Sequence, residues 1–393
     1  MTITNTLNTL ERGCVDIISK EELKHKLSSG KKLIVKLGCD PTSPDLHLGH
    51  SVALSKMRAF QDLGHTGVLV IGDFTSSIGD PSGRDNTRPV LTAQQIKENA
   101  KTYSDQALKI LDTDKTMIVF NSQWLSSFVG TPSGGISNLL NSLSRITVSR
   151  LMEREDFQKR IKSGNPISML EMLYPIFQGY DSVALKADVE LGGSDQLFNL
   201  LVGRDMQKIF SQTPQVIMTT PLLVGTDGVK KMSKSYGNYI GLTDTAKDIF
   251  GKIMSISDDI MWQYYEILTT EDISALKKTH PMEAKKNLAK IITERFHSSE
   301  IADNEHKAFE KVFSNKELPE NVKEELLAKE MMLSDILIKV DFANSKRSAR
   351  RLITQGAVKI DGKKIVQDST IKLSKPAVLQ SGKKNFCKIE IKK

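Results

Sequence analysis

The sequence is poor in cysteine, in tryptophan and in long apolar runs. Its three cysteines, Cys14, Cys39 and Cys387, form no Cys-x-x-Cys motif and are odd in number, which argues against a structural metal site and favours a reducing compartment. It has no run of about eighteen apolar residues, which a membrane-spanning helix needs. Residues 1–10 are polar and lack the apolar core of a signal peptide. We therefore expect a cytoplasmic protein with no bound structural metal and no membrane association.

Length and charge indicate several domains, one of them basic. A chain of 393 residues is longer than the roughly 250 to 300 residues that one core supports, so we expect two or three domains. Residues 331–393 contain 15 Lys or Arg against 5 Asp or Glu, a local charge of +10 within a net charge of +8. Such a module favours binding of a polyanion. A solvated lysine-rich tail is the alternative, and the patterned sequence argues against it.

A β-α-β unit is predicted near the start of the chain. Residues 32–37 have the apolar content of a strand, residues 38–42 break it, and residues 51–63 carry apolar side chains at helical spacing. A second buried strand is predicted at residues 66–71. Because such units bind phosphate groups at the start of their helix, we expect a nucleotide to bind at residues 38–50.

Two histidines occupy this predicted phosphate-binding end. His47 and His50 are three residues apart, so on a helix they share one face, and Gly49 between them removes a side chain that would obstruct a nucleotide. A surface His-x-x-His or a metal-ligand pair is the alternative, but no nearby cysteine or aspartate-rich ligand set supports a metal.

Two lysines repeat the same spacing far along the chain. Lys231 and Lys234 follow Gly225 and Gly228, so they can lie on a mobile loop that closes over an anion. Displacing pyrophosphate from ATP builds up negative charge on several phosphate groups, which fixed imidazoles and mobile ammonium groups can together stabilise. A solvated lysine-rich loop is the alternative for this segment alone. Together with the histidines, it predicts ATP chemistry.

The basic C-terminal segment has a readable pattern. Ser345 is placed to cap a helix that runs through Thr354 and ends at Gly356. Two short strands around the Asp361-Gly362 turn follow. This unit resembles a small RNA-binding domain that is named after a ribosomal small-subunit protein. One helix face carries its basic side chains: Lys346, Arg347, Arg350 and Arg351.

Four separate segments give the chain a wider resemblance. In order, they are residues 38–88, 174–181, 192–196 and 231–235. With the basic tail, they resemble the bacterial tyrosyl-tRNA synthetases, a class I aminoacyl-tRNA synthetase family. The resemblance spans nearly the whole chain.

The resemblance implies an α/β fold and three domains. A Rossmann-type parallel-sheet catalytic domain covers residues 1–240, with a dimer-forming insertion at about residues 120–170. A helical anticodon-binding region covers residues 241–325, and a small basic α+β RNA-binding domain covers residues 331–393. Helix starts are expected near residues 258 and 272, with a break at Pro281. The charged residues 319–329 are predicted to link the last two domains.

The resemblance also implies roles for single residues. His47, His50, Thr42, Lys231 and Lys234 act on the phosphates, and Asp181 accepts the phenol O–H of tyrosine. The set expected to receive the tyrosine ammonium is Asp40, Asp80, Tyr174 and Gln178. The residues expected at the adenylate and substrate are Gly38, Gly49, Gly192, Gly193, Asp195, Gln196 and Met232. Arg84 and Arg88 are candidates for a phosphate or the tRNA acceptor end.

The implied activity joins L-tyrosine to tRNA(Tyr). Tyrosine attacks the α-phosphate of ATP, which is bound with Mg²⁺, and the tyrosyl group then passes to the terminal ribose of tRNA. A tryptophanyl-tRNA synthetase, with the same fold, is the nearest alternative, and Asp181, Tyr174 and Gln178 argue against it. A non-catalytic RNA-binding protein is the other alternative, which the intact charged motifs disfavour.

One departure from the family pattern bears on selectivity. Lys36 stands where many members have a tyrosine whose hydroxyl helps to hold the phenol. Lys36 can contact Asp181 or the phenol oxygen, or it can point elsewhere. Arg84 similarly stands where a lysine is frequent, which keeps the charge but changes the geometry.

Overall fold

A computed structural model describes residues 2–41, 44–80, 92–130, 135–313, 323–327, 330–373, 376–382 and 385–391. The chain divides into two compact units, Met1–Ser298 and Ser299–Lys393. Within the described ranges, no helix combines the length and the apolar character needed to cross a membrane.

The first unit alternates strands and helices before it becomes wholly helical. Its strands are β1 (Asp16–Ile18), β2 (Ile34–Cys39), β3 (Thr66–Ile71), β4 (Thr116–Phe120), β5 (Val189–Gly193) and β6 (Val216–Thr220). Its helices are α1 (Ile3–Glu11), α2 (Lys20–Ser28), α3 (Leu48–Asp62), α4 (Ala93–Ala107), α5 (Ser122–Gly130), α6 (Gly135–Arg145), α7 (Val148–Leu151), α8 (Glu155–Lys162), α9 (Met169–Leu185), α10 (Leu197–Ile209), α11 (Ala246–Ser255), α12 (Asp258–Leu268), α13 (Ile273–Leu276) and α14 (Pro281–Phe296).

The strands described in this unit form one six-stranded sheet in the order β1-β6-β5-β2-β3-β4. Only β1 is antiparallel to its neighbour in this sheet. The strand order reverses between β2 and β5, since β3 and β4 follow on one side of β2 and β5 and β6 on the other. Ligands bind at the carboxyl ends of strands at such a switch point. The Rossmann-type parallel sheet predicted from the sequence is thus confirmed.

Helix packing follows the apolar pattern of the sequence. α3 packs on β2, β3 and β5, and it buries Val52, Met57 and Phe60. α9 packs on β2 and α10 packs on β5 and β6. The middle strands are apolar along most of their length, as expected for strands that helices cover. The helical region also agrees with its predicted starts: Ser257 caps α12, Asp272 caps α13, and Pro281 occupies the first turn of α14.

The second unit is α+β. Its helices are α15 (Ser299–Phe313), α16 (Leu333–Lys339) and α17 (Lys346–Thr354), and its strands are β7 (Lys323–Leu327), β8 (Met331–Met332), β9 (Val358–Ile360), β10 (Lys363–Ile365), β11 (Thr370–Ile371), β12 (Ala377–Ser381) and β13 (Asn385–Ile391). Of its described strands, five form a sheet in the order β10-β9-β12-β13-β7, whose core is shared with α16 and α17. The predicted Ser345 cap and the hairpin through Asp361-Gly362 are both present, and both turn residues have positive φ.

The structure corrects three details of the sequence prediction. β2 extends through Gly38 and Cys39, which pair with Val70 and Ile71 of β3, whereas the prediction ended the strand at residue 37. α3 begins at Leu48 and not at residue 51. Residues 319–329 were predicted to be a linker, but they contain β7, which pairs in parallel with β13 as an edge strand of the second unit.

Candidate active site

A cleft of about 760 Å³ opens where the β2 and β5 carboxyl ends meet. It is lined by three groups of predicted site residues. Those expected to act on phosphates are His47, His50, Lys231 and Lys234; those expected at tyrosine are Asp40, Asp80, Tyr174, Gln178, Asp181 and Gln196; those expected at the adenylate are Gly38, Gly49, Gly192, Gly193, Asp195 and Met232. Thr42, Arg84 and Arg88 lie outside the described residues.

The two histidines are joined by the start of α3. His47 is the N-cap and not part of the helix, and its Nδ1 accepts the Gly49 N–H at 3.1 Å. His50 Nδ1 in turn accepts the His47 backbone N–H at 3.2 Å, and the ring centroids are 4.0 Å apart. A Cβ at residue 49 would lie 2.9 Å from the His47 ring. Gly49 is therefore required by the histidine itself.

Burial keeps both imidazoles neutral. It lowers the pKa of His47 to about 2, helped by His50, Lys234 and Lys231, and burial together with Lys234 lowers the pKa of His50 to about 4. Because each Nδ1 accepts a backbone N–H, the single proton of each neutral ring is on Nε2. The site therefore offers two uncharged N–H donors at neutral pH.

The two lysines differ in their partners. Lys231 Nζ donates to Asp195 Oδ2 at 2.9 Å. Lys234 Nζ is buried, lies 3.6 Å from Asp45 Oδ2, and has no hydrogen-bond partner among the described residues. Burial accordingly lowers the pKa of Lys234, against the attraction of Asp45. A buried ammonium without a hydrogen bond is costly, so this group is suited to an incoming anion.

Asn238 fastens the segment that carries these lysines. Its Oδ1 accepts the Ser233 N–H at 2.8 Å, and its Nδ2 donates to Asp227 Oδ2 at 2.9 Å and to the Lys231 carbonyl at 3.2 Å. The Met232 N–H donates to the Leu223 carbonyl at 2.7 Å. The sequence pattern did not point to Asn238; its position directly after Gly237, at the end of the segment, was the available signal.

The predicted ammonium-binding residues form an acceptor set of carboxylate, hydroxyl and carboxamide oxygens at the cleft. Asp40 Oδ1 accepts from Thr75 and Oδ2 accepts from Tyr174, both at 2.8 Å. Asp80 Oδ2 accepts from Gln196 Nε2 at 2.9 Å. Gln178 Oε1 is buried without a partner in the described part of the chain. Among the described residues, the cleft thus contains a buried acceptor without a donor and a buried ammonium without a hydrogen bond.

Asp181 lies at a buried end of the cleft. Its Oδ1 accepts from Trp124 Nε1 at 2.7 Å, and its Oδ2 lies 3.4 Å from Asn121 Nδ2. Burial raises the pKa of Asp181 to about 7, although Lys36, Trp124 and Asn121 act in the opposite direction. Asn121 and Trp124 are not among the site residues predicted from the sequence. They follow the carboxyl end of β4, which is the edge of the sheet where site residues collect.

Lys36 does not contact Asp181. Its side chain is fully buried, and Nζ lies 2.8 Å from Glu190 Oε1, 2.8 Å from Ser182 Oγ and 3.1 Å from the Gln178 carbonyl. Of the alternatives left open by the sequence, the structure therefore selects contacts with residues other than Asp181.

Family models match almost all of the chain. The model of tRNA synthetases class I (W and Y) matches residues 28–314, and that of the tyrosine–tRNA ligase SYY-like C-terminal domain matches residues 308–389. The chain is 50% identical to the tyrosine–tRNA ligase of Aquifex aeolicus over 99% of both sequences, and 48% identical to that of Francisella tularensis, also over 99% of both.

Solved structures agree on the fold. A C-terminally truncated mitochondrial tyrosyl-tRNA synthetase of Aspergillus nidulans gives a TM-score of 0.64 at 22% identity, covering 78% of this chain and 94% of that one. The tyrosyl-tRNA synthetase of Archaeoglobus fulgidus, complexed with L-tyrosine, gives 0.63 at 22% identity, covering 78% and 100%. The fold and cleft are those of a class I aminoacyl-tRNA synthetase. Within that class, the chain belongs to the tyrosine–tRNA ligase family.

Proposed function

We propose that the cleft activates L-tyrosine with ATP and then charges tRNA(Tyr). The proposal rests on two groups without a hydrogen-bond partner in the described ranges, the Lys234 ammonium and the Gln178 carboxamide oxygen, in a cleft that also holds Asp181. The Lys234 ammonium suits a phosphate, the Gln178 oxygen suits an ammonium, and the Asp181 carboxylate suits a phenol. Tyrosine and ATP together supply all three.

In the first step, a tyrosine carboxylate oxygen bonds to the α-phosphorus and the bond to pyrophosphate breaks. The Nε2–H groups of His47 and His50 donate to phosphate oxygens, as neutral donors that need no proton transfer. Lys234 binds the departing pyrophosphate. Lys231 also binds pyrophosphate, and its hydrogen bond to Asp195 breaks. The Asp195 carboxylate then becomes available to the adenylate ribose.

The amino acid is held at both ends. The tyrosine ammonium donates to the acceptor set around Asp40, Asp80 and Gln178, while the phenol O–H donates to Asp181. Phenylalanine would leave the buried Asp181 without this hydrogen bond. Mg²⁺ enters with ATP as part of the substrate; the described residues contain no group of three or more His, Cys, Asp or Glu able to hold a metal ion.

In the second step, a terminal ribose hydroxyl of tRNA attacks the tyrosyl carbonyl carbon and AMP leaves. The proposed tRNA-binding parts are the region predicted to be helical, residues 241–325, and the basic domain at residues 331–393. The insertion at residues 120–170 is assigned to the catalytic domain and not to tRNA binding. The proposed compartment is the cytoplasm, where tRNA is charged for translation.

A homodimer is proposed through the insertion. Ile136, Leu140 and Leu143 of α6 are 50%, 59% and 37% exposed, and their spacing of four and three places them on one helix face. Contiguous exposed apolar side chains favour an interface. Leu140→Asp should yield monomers in analytical ultracentrifugation, whereas Val229→Asp, at an 82% exposed valine elsewhere, should not. Dimers that persist in Leu140→Asp would exclude this surface.

Amino-acid-dependent exchange of pyrophosphate into ATP tests the proposed first step. We expect exchange with tyrosine and none with tryptophan or phenylalanine at equal concentration. The proposal would be refuted if tryptophan alone supported exchange, or if no amino acid supported it.

A further inference from the structure

Lys36 is a buried charged residue that the proposed reaction does not use. It stands in the middle of β2 and is fully buried, with Glu190 of β5 at 2.8 Å. Glu190 Oε2 also accepts from Ser182 Oγ at 3.0 Å and from Gln215 Nε2. Burying two charges is costly unless their hydrogen bonds are satisfied, and this pair is well supplied with partners.

The Lys36 contacts fix a particular turn of α9. Nζ donates to the Gln178 carbonyl and to Ser182 Oγ, which are one helical turn apart on α9. Gln178 and Asp181, whose side chains line the cleft, lie within the same turn. One ammonium group therefore links β2, β5 and the part of α9 that faces tyrosine.

Charged groups from two strands act on Asp181. Lys36 of β2 favours the ionised carboxylate, while Glu190 of β5 opposes it by a smaller amount. On the side of α5, the neutral donors Trp124 and Asn121 also favour ionisation. The charge balance at Asp181 therefore includes two residues, Lys36 and Glu190, that do not line the cleft.

We propose that Lys36 is a positioning residue for tyrosine selection. It holds the α9 turn that presents Gln178 and Asp181, and it supplies the positive charge that keeps the Asp181 carboxylate able to accept the phenol O–H. This inference rests on the proposed function, because it assumes that Asp181 receives the phenol.

Four variants of the full-length protein test the inference by equilibrium dialysis with tyrosine, without ATP, from about pH 5.5 to about pH 9. Lys36→Met should raise the pH midpoint of tyrosine binding by about one unit, the lower end of the effect of an opposite charge on a carboxylate, because Lys36 is the charged group that most favours ionisation of Asp181. At pH 7, this shift weakens binding about fivefold. Glu190→Gln should lower the midpoint, and the double variant should fall between the two single ones.

Lys56→Met is the matched control, since Lys56 is also a buried lysine that binds backbone carbonyls, those of Leu10 and Arg12, away from the cleft. Its midpoint should equal that of the parent protein. The inference would be overturned if Lys36→Met bound tyrosine as tightly as the parent protein. It would also be overturned if binding were weaker by the same factor at every pH. If Lys36→Met does not fold, an unmoved midpoint in Glu190→Gln overturns it. Failure of the parent protein to bind tyrosine would instead refute the proposed function.

Discussion

At the residue scale, burial sets the protonation states on which the cleft depends. Two imidazoles are neutral, and burial lowers the pKa of the Lys234 ammonium against the attraction of Asp45. Asp181 is the group whose pKa, about 7, falls within the working range. As the pH falls through this value, the carboxylate gains a proton and loses acceptor strength, so the direction of the pH effect on tyrosine binding is fixed.

Asp181→Asn should abolish that pH effect. We expect the KM for tyrosine in pyrophosphate exchange to rise below about pH 7 in the parent protein and to stay flat in the variant, since the carboxamide does not titrate there. Loss of a charged hydrogen bond of about 2 kcal/mol should also lower kcat/KM for tyrosine about thirtyfold. The KM for ATP is the internal control; a parallel rise in that constant would mean that the whole cleft had been disturbed.

At the element scale, the segment from Gly225 to Asn238 is held at its base, while Lys231 and Lys234 face the cleft. Asn238 is buried and joins the two sides of this segment. Both lysines consequently belong to an element with fixed ends, which lowers the entropy lost in the proposed binding of pyrophosphate.

Asn238→Ala should lower kcat for pyrophosphate exchange about tenfold, because at least one net hydrogen bond that orders the lysines is lost. Tyrosine affinity measured without ATP should not change. Asn238→Asp is the matched variant: it keeps the acceptor for the Ser233 N–H but faces the Asp227 carboxylate, and should be at least as impaired. Equal loss of tyrosine affinity would show a general structural role instead.

The basic helix α17 contains two kinds of cation. Lys346 pairs with Asp335 at 2.9 Å and Arg350 with Asp368 at 3.1 Å, within the second unit. Arg347 and Arg351 are exposed on the same helix. Only cations that are not already paired add fully to phosphate binding, so the four predicted tRNA-binding residues are not equivalent.

Arg347→Ala/Arg351→Ala should weaken tRNA binding and reduce the slope of log K against log salt by about two. Lys346→Ala/Arg350→Ala, with the same change in charge, should affect that slope less and lower thermal stability more. Filter binding over a salt series measures the first quantity, and calorimetry the second. Equal slopes in the two double variants would refute the distinction.

At the scale of the whole molecule, the two compact units separate the proposed adenylation site from the basic domain. Every described residue assigned to the cleft lies in the first unit, and the basic excess lies in the second. This arrangement favours a division of labour between activation of tyrosine and retention of tRNA.

Truncation after Ser298 follows the boundary between the units. The shortened protein should retain pyrophosphate exchange within about threefold of the full chain, but lose most of its tRNA charging, since the basic phosphate contacts are gone. A protein truncated after residue 330 is the informative comparison. It keeps β7 without its partner β13 and should therefore aggregate more readily. Equal loss of exchange and charging would contradict the division.

The sequence by itself determined the local elements and indicated many of the residues that line the cleft. Strand β3, the cap and end of α17 and the Asp361-Gly362 hairpin follow from apolar spacing and turn chemistry, which act between near neighbours. The residue types around the cleft were likewise readable, because phosphates and ammonium groups demand particular partners.

Only the tertiary structure decided the protonation states and the contacts between distant segments. The partner of Lys36, the support of Asp181 by Asn121 and Trp124, and the inclusion of β7 in the second sheet all join residues far apart in the chain. Burial and long-range pairing depend on how the elements pack, and a linear pattern of residue types does not contain that information.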